Sequence, residues 1–249
     1  MPESDHQLYE TNALFFDQQT NLVYYGNRRA WGGIGGVLTF VGDDNSPHHP
    51  EIIFTATANA AMHFNDNYRI WTETIDARVG CAFEYEFDPA LRASIGISHN
   101  SGHAADGIAD LDLYEPTLGE EFVPLKAVYD WGTRLRVGAT FKPFILAFPT
   151  EVQFFSADAF VDYFPWGQDN PHQPAPYVSF GIDEMGVGHP FYTFHGQLGV
   201  LLGNHFGRGH HQTIRGVVGY YNGADPRMKY FQYRQATMDF AYIGIMGDI

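Results

Sequence analysis

Residues 71–87, WTETIDARVGCAFEYEF, alternate in step. The odd positions are Trp71, Glu73, Ile75, Ala77, Val79, Cys81, Phe83, Tyr85 and Phe87, whereas the even ones are Thr72, Thr74, Asp76, Arg78, Gly80, Ala82, Glu84 and Glu86. A period of two held this long predicts a strand with one apolar and one polar face. It runs well past the roughly five or six residues common in soluble sheets. The DPA stretch at 88–90 predicts a tight turn. Beyond it Leu91, Ala93, Ile95 and Ile97 alternate with Arg92, Ser94, Gly96 and Ser98, so the two runs form one long hairpin.

The pattern returns at Leu135, Val137, Ala139 and Phe141 against Arg134, Arg136, Gly138, Thr140 and Lys142. It recurs at Phe155, Ala157, Ala159, Val161 and Tyr163 against Ser156, Asp158, Phe160 and Asp162, and again from Tyr192 to Leu202. Two architectures produce such faces. In a soluble sandwich the apolar face is the core and strands are short. In a transmembrane barrel the apolar face meets lipid, the charged face lines the interior, and strands run to about ten residues or more. Strand length selects the second: an all-β, transmembrane, antiparallel up-and-down β-barrel of about 12 strands. The expected spans are 13–26, 28–41, 51–63, 68–87, 91–103, 121–130, 134–147, 150–165, 174–187, 190–204, 209–222 and 228–248. The polar faces place Asp76, Arg78, Glu84, Glu86, Arg92, Arg134, Arg136, Asp158 and Asp162 along the lumen, as a selectivity lining or as a plug of ion pairs. A single domain over 13–249 is expected, behind a frayed N-terminal segment, 1–12. With both termini on the periplasmic side, short turns such as DPA lie below and a longer loop, 104–120, lies above.

Composition narrows the function classes. Aromatic residues make up 16% of the 249, with 27 Gly and only 17% charged residues, a mix suited to strands and turns. The formal net charge is -15 with no Lys/Arg run, which argues against nucleic acid as a partner. Cys81 is the single cysteine, so neither an intramolecular disulfide nor a Cys-based metal site is expected. No stretch approaches the roughly 20 consecutive apolar residues of a membrane helix. The start, MPESDHQLYE, lacks the basic region and apolar core of a secretory signal, and an outer-membrane protein is expected to have lost it on export. His48 and His49 in SPHHPE, and His205, His210 and His211 in GNHFGRGHHQ, read as solvated turn residues, because a structural metal site needs three or four convergent ligands. No metal or other cofactor is expected. GGIGG at 32–36 lacks the strand-to-helix setting of a phosphate loop and reads as bulges or kinks of a barrel strand.

Two blocks, IDARVGCAFEYEFDPALRASIGISHNSGHAADGI and RGVVGYYNGADPRMKYFQYRQATMDFAYIGIMGDI, resemble the most recognisable parts of the DUF1207 family, bacterial proteins regarded as outer-membrane barrels without an established activity. The likeness spans about residues 28–249. His99, Ser101 and His103 fall on the family's His-x-Ser-Ser-His run, with Asp106 near its Asp; Gly102 replaces the second Ser, and the following Gly-Asp-Glu is lost. Tyr220, Tyr221, Asn222, Gly223 and Pro226 resemble the family's tail. The resemblance implies an outer-membrane barrel and implies no particular reaction.

The apolar face of 91–103 ends in His99, Ser101 and His103. Residues two apart on a strand share a face, so a base stands beside a hydroxyl. A serine nucleophile needs such a base and a third group that orients it. Outer-membrane phospholipase A and the lipid A deacylase carry a His-x-Ser motif facing lipid, to which His-Asn-Ser here is similar. Pairing Phe87 with Leu91 sets His103 opposite Ile75, Ser101 opposite Ala77 and His99 opposite Val79, with Glu73 beyond His103 on the same outward face as the candidate acid. The plainer reading is a strand turning polar as it leaves the membrane. The leading expectation is therefore a non-enzymatic outer-membrane barrel, a narrow pore or a structural envelope component, with membrane lipid and an envelope protein as partners. The alternative is an outer-membrane serine hydrolase acting on lipid acyl esters, with Ser101 as nucleophile and His99 as base.

Overall fold

A computed structural model describes residues 20–26, 28–42, 46–67, 69–105, 118–148, 154–167, 173–185, 191–202, 213–225 and 237–248. They form β1 (Thr20–Tyr25), β2 (Arg29–Gly42), β3 (Glu51–Phe64), β4 (Ile70–Asp88), β5 (Leu91–Ala104), β6 (Leu118–Phe122), β7 (Leu125–Trp131), β8 (Leu135–Phe148), β9 (Phe155–Tyr163), β10 (Ala175–Met185), β11 (Phe191–Leu202), β12 (Thr213–Ala224) and β13 (Thr237–Asp248). Both β6 and β7 lie between β5 and β8. Ser98 faces Phe122 and Ile95 faces Leu125, so the β5 register runs on unbroken across Val123 and Pro124. The two segments are halves of one strand, interrupted where proline supplies no N–H.

All pairings are antiparallel, and β1 pairs with β13, Thr20 facing Gly247 and Tyr25 facing Tyr242. Among the described residues the sheet therefore closes on itself as a twelve-stranded up-and-down barrel with no sandwich partner and no free edge. Among the described residues no helix is long and apolar enough to cross a membrane, a statement that says nothing about strands.

The faces are the reverse of those of a water-soluble sheet. Val79, Phe83, Ile95 and Val137 point outward and are 38–52% exposed, whereas Glu84, Arg136 and Asp162 point inward and are at most 3% exposed. Aromatic side chains collect near the two ends of the outer surface. Phe87, Tyr129, Trp131, Tyr163 and Trp166 ring the end that holds Thr20 and Asp248, the terminal rim. Tyr24, Phe148, Tyr192 and Tyr220 ring the opposite rim. Aliphatic residues such as Ile34, Ile97, Leu198, Val218 and Ile243, with Phe54, Phe83 and Phe180 among them, cover the height between.

Inside, the wall formed by β1, β2 and β10–β13 is aromatic. Tyr25, Trp31, Tyr177, Tyr221, Phe240 and Tyr242 belong to one buried cluster. Within it Phe240 stacks on Tyr221 at 4.9 Å and meets Tyr25 at 4.6 Å. Space for these rings comes from glycines directly across the ladder: Tyr177 faces Gly199, Tyr242 faces Gly219, and Phe160, on the other wall, faces Gly138. A Cβ at any of the three glycines would lie 2.3–2.6 Å from the facing ring. Rings lying over glycine are a device that fixes register while filling the interior.

Several expected spans shift. Residues 121–130 belong to a strand covering 118–131 in two halves, whereas residues 150–153 and 228–236 of the expected spans lie outside the described residues. Residues 13–19 of the expected first strand lie outside the described residues. The expected division into short turns at one end and long loops at the other is corrected. Connections 164–174 and 203–212 share the terminal rim with the DPA turn, while the short Gly26–Arg28 connection shares the opposite rim with 105–117. Loop-closure entropy rises slowly with length, so either rim tolerates long connections.

Candidate functional site

The β4–β5 hairpin carries the outward polar row. Its register sets Ile75 opposite His103, Ala77 opposite Ser101 and Val79 opposite His99, as the alternation predicts. The turn is tighter than a Phe87–Leu91 pairing would make it. Asp88 faces Leu91 after a register shift, and its Oδ1 accepts hydrogen bonds from the N–H groups of Ala90 and Leu91 at 2.7 and 3.0 Å. Aspartate at the head of a turn satisfies the backbone in this way. His99 and His103 are exposed on the outer face, and Ser101, between them, is half-buried.

Glu73 does not join that row. Ala61 faces Thr74 while Met62 faces Thr72, so a bulge at Glu73 interrupts the β3–β4 ladder. The extra residue turns the carboxylate inward, where it is 5% exposed and lies 3.3 Å from His63 Nδ1 and 3.5 Å from Arg29 Nη2. A carboxylate directed at lipid is costly, and the bulge removes that cost. The acid nearest His99 comes from the other neighbouring strand: Glu121 on β6 faces His99 in the ladder, its Oε1 3.9 Å from His99 Nδ1. The hairpin pairing gave no access to this contact, because it depends on where β6 docks.

Within the barrel, Asp76, Glu84, Glu86, Arg136, Asp158 and Asp162 are buried on the inner face, and Arg78 and Arg92 are partly buried there. Arg134 is corrected: it lies at the terminal rim, in the turn before β8, exposed, its carbonyl accepting the Phe164 N–H at 2.8 Å. The turn chemistry of Gly132, with φ +61°, takes Arg134 off the strand. The charges are organised in pairs and relays. Asp130 receives Arg136 through Nε at 2.6 Å and Nη2 at 3.1 Å, and on its other side is bonded by Arg92. Lys142 Nζ lies 2.5 Å from Asp158 Oδ2, and Ser179 Oγ donates to Asp162 Oδ1 at 2.6 Å. Further along, His195 Nε2 meets Asp183 Oδ2 at 2.7 Å beneath the Tyr221 ring. Asp130, Lys126 and Lys142 escaped the sequence reading as lumen charges, although each sits at an inward step of its own alternation.

His48 is also corrected. It sits in the turn, but its ring stacks on Tyr85 at 5.1 Å with Nδ1 3.0 Å from the Glu86 carbonyl, so it is docked against the wall and only partly exposed. His205, His210, His211, Asp106 and Pro226 lie outside the described residues.

Midway up the charged half of the lumen is a small chamber, a cavity of about 70 Å³, bounded by β2, β3, β4, β5, β7 and β8. Arg78, Lys126 and Lys142 reach it from three strands, together with the hydroxyls of Thr55, Ser94 and Ser98. Comparison with family models, curated proteins and solved structures finds no match. The arrangement of this chain's own residues therefore carries the functional argument.

Proposed function

We propose that this barrel spans the bacterial outer membrane, surrounded by membrane lipid, as an envelope component whose bore is filled by its own side chains. One observation carries the reading: an outer surface that is apolar all round, encircled near both ends by aromatic residues, over an interior that holds the charges. In water such a surface far exceeds the apolar patches that monomers tolerate. In a bilayer it is the surface that lipid solvates. The resemblance to the DUF1207 family agrees with that location. The filled bore is supported by Trp31, Tyr25, Tyr177, Tyr221, Phe164 and Arg215, each under 2% exposed, and by the Arg92–Asp130–Arg136 bridge on the opposite wall. The exposed rims are where an envelope protein would meet it.

The test is reconstitution of the refolded chain in lipid vesicles and planar bilayers. Flotation with the vesicles, protease protection of the strands and absence of steady conductance are expected. A soluble monomer without detergent overturns the membrane reading, and stable open-channel currents overturn the filled bore.

A second reading, hydrolysis of lipid acyl esters, is favoured by one contact. His99 lies between an acid, Glu121, and a hydroxyl two residues along the same face, Ser101, the order in which a base is oriented and used. Turnover of an acyl ester in mixed micelles that is lost in both Ser101→Ala and Glu121→Gln would establish it; inert wild-type protein retires it.

A further inference from the structure

We infer that the lumen chamber is a binding site for a small soluble oxyanion of the phosphate class. The inference goes beyond the envelope role and does not depend on membrane insertion, since it concerns only the barrel's interior.

The chain carries 29 acidic residues against 14 Lys and Arg, and carboxylates dominate much of the inner wall. The chamber departs from this balance. Its lining includes Arg78, Lys126 and Lys142 and no Asp or Glu. Two buried carboxylates of the inner face adjoin the lining: Asp158 holds Lys142 at 2.5 Å, and Glu84 faces Ser94 on the adjacent strand. A cationic enclosure inside a strongly acidic protein is a local feature of these strands, not an outcome of composition.

The cations are also held in position. Arg78 donates through Nε to Asn100 Oδ1 at 2.9 Å, and Asn100 donates in turn to Glu120 Oε2 at 3.3 Å, which fixes the plane of the guanidinium. Lys126 Nζ lies 6.0 Å from the centre of the Phe160 ring. Thr55, Gly80 and Ser98 form one row across three strands, and a Cβ at Gly80 would come within 2.5 Å of Ser98 Oγ and 3.1 Å of Thr55 Oγ1. The missing side chain at Gly80 lets the two hydroxyls approach each other beside the cations.

Arginine offers a planar fork, lysine a compact charge and hydroxyls further donors, the set that a tetrahedral oxyanion accepts from. At about 70 Å³ the cavity is well below the roughly 300–1,000 Å³ of pockets for drug-sized ligands and matches a single inorganic oxyanion.

The full chain, folded in detergent micelles, tests this by calorimetric titration with inorganic phosphate and with a short-chain phosphatidylglycerol. Saturable binding of inorganic phosphate is expected, weakened at least tenfold in Arg78→Gln and in Lys126→Gln, restored in part by Lys126→Arg, and unchanged in Arg28→Gln at the opposite rim. Phosphate that does not saturate at millimolar concentration, or that binds equally to both Gln variants, overturns the site. Binding of the phospholipid alone overturns the soluble-ligand assignment. Should the Gln variants not fold, the wild type decides: sodium phosphate must raise its unfolding temperature above that in choline chloride of equal ionic strength, and equal temperatures overturn the inference.

Discussion

Tyr242 and Gly219 face each other across the β12–β13 ladder, and the tyrosine ring occupies the place where a side chain at 219 would stand, 2.3 Å from an ideal Cβ. Gly219→Val must displace that ring from a packed interior, and overpacking of this kind costs about 1–3 kcal/mol. Gly216, on the same strand, faces outward with nothing within 4 Å of its ideal Cβ. Gly216→Val is therefore expected to be neutral or stabilising. Urea unfolding in lipid vesicles separates the two; equal effects contradict the ring-over-glycine account.

Asp130 joins Arg92 and Arg136, and the side chains of all three are at most 12% exposed. Asp130→Ala leaves two guanidinium groups together without their shared anion, at an expected cost of about 3–5 kcal/mol. Replacing all three by apolar residues of similar volume is expected to restore most of the loss, because the desolvation penalty goes with the charges. Unfolding midpoints of the single and triple variants check the sign.

Ile97 lies halfway along β5 on the outer face and is 56% exposed, while Phe87 belongs to the terminal rim. If lipid surrounds the barrel, Ile97→Arg destabilises by about 2–4 kcal/mol and Phe87→Arg by about 0–1 kcal/mol. A water-facing surface would show no such dependence on height. Folding titrations in vesicles of the two variants supply the measurement.

Cys81 is exposed, outward, and level with Phe54 and Ile97 on the flanking strands. As the chain's single thiol it reports its own surroundings. A charged maleimide should label it rapidly in denaturant and far more slowly in vesicles. Equal rates in the two states would place water, not acyl chains, against this face.

The outline of the fold was legible because period-two alternation over so long a stretch leaves few alternatives, and it gave the β4–β5 register correctly at His99, Ser101 and His103. It failed at Glu73 because a bulge adds a residue without any compositional mark. Alternation was also silent along β13, where Phe240 and Tyr242 point in while Ala241 and Ile243 point out, so both faces are apolar and no contrast remains to be read. For the same reason the aromatic half of the interior was invisible. Arg134 was misplaced by one step of turn geometry, and Glu121 was missed because contacts between strands of different hairpins are not written in either hairpin alone.

Pro124 and Pro143 sit on adjacent strands beside the cationic chamber. The Pro124 carbonyl accepts from Gly96 N–H at 3.1 Å and the Pro143 carbonyl from Val123 N–H at 3.0 Å, yet neither proline can return a donor. The wall therefore forgoes one rung on each side of the same strand at one height. In deuterated buffer the amides around Gly96 and Val123 should exchange before those of β11 and β12. At that height the two seams beside the cations are therefore held together more by side-chain packing than by backbone bonding.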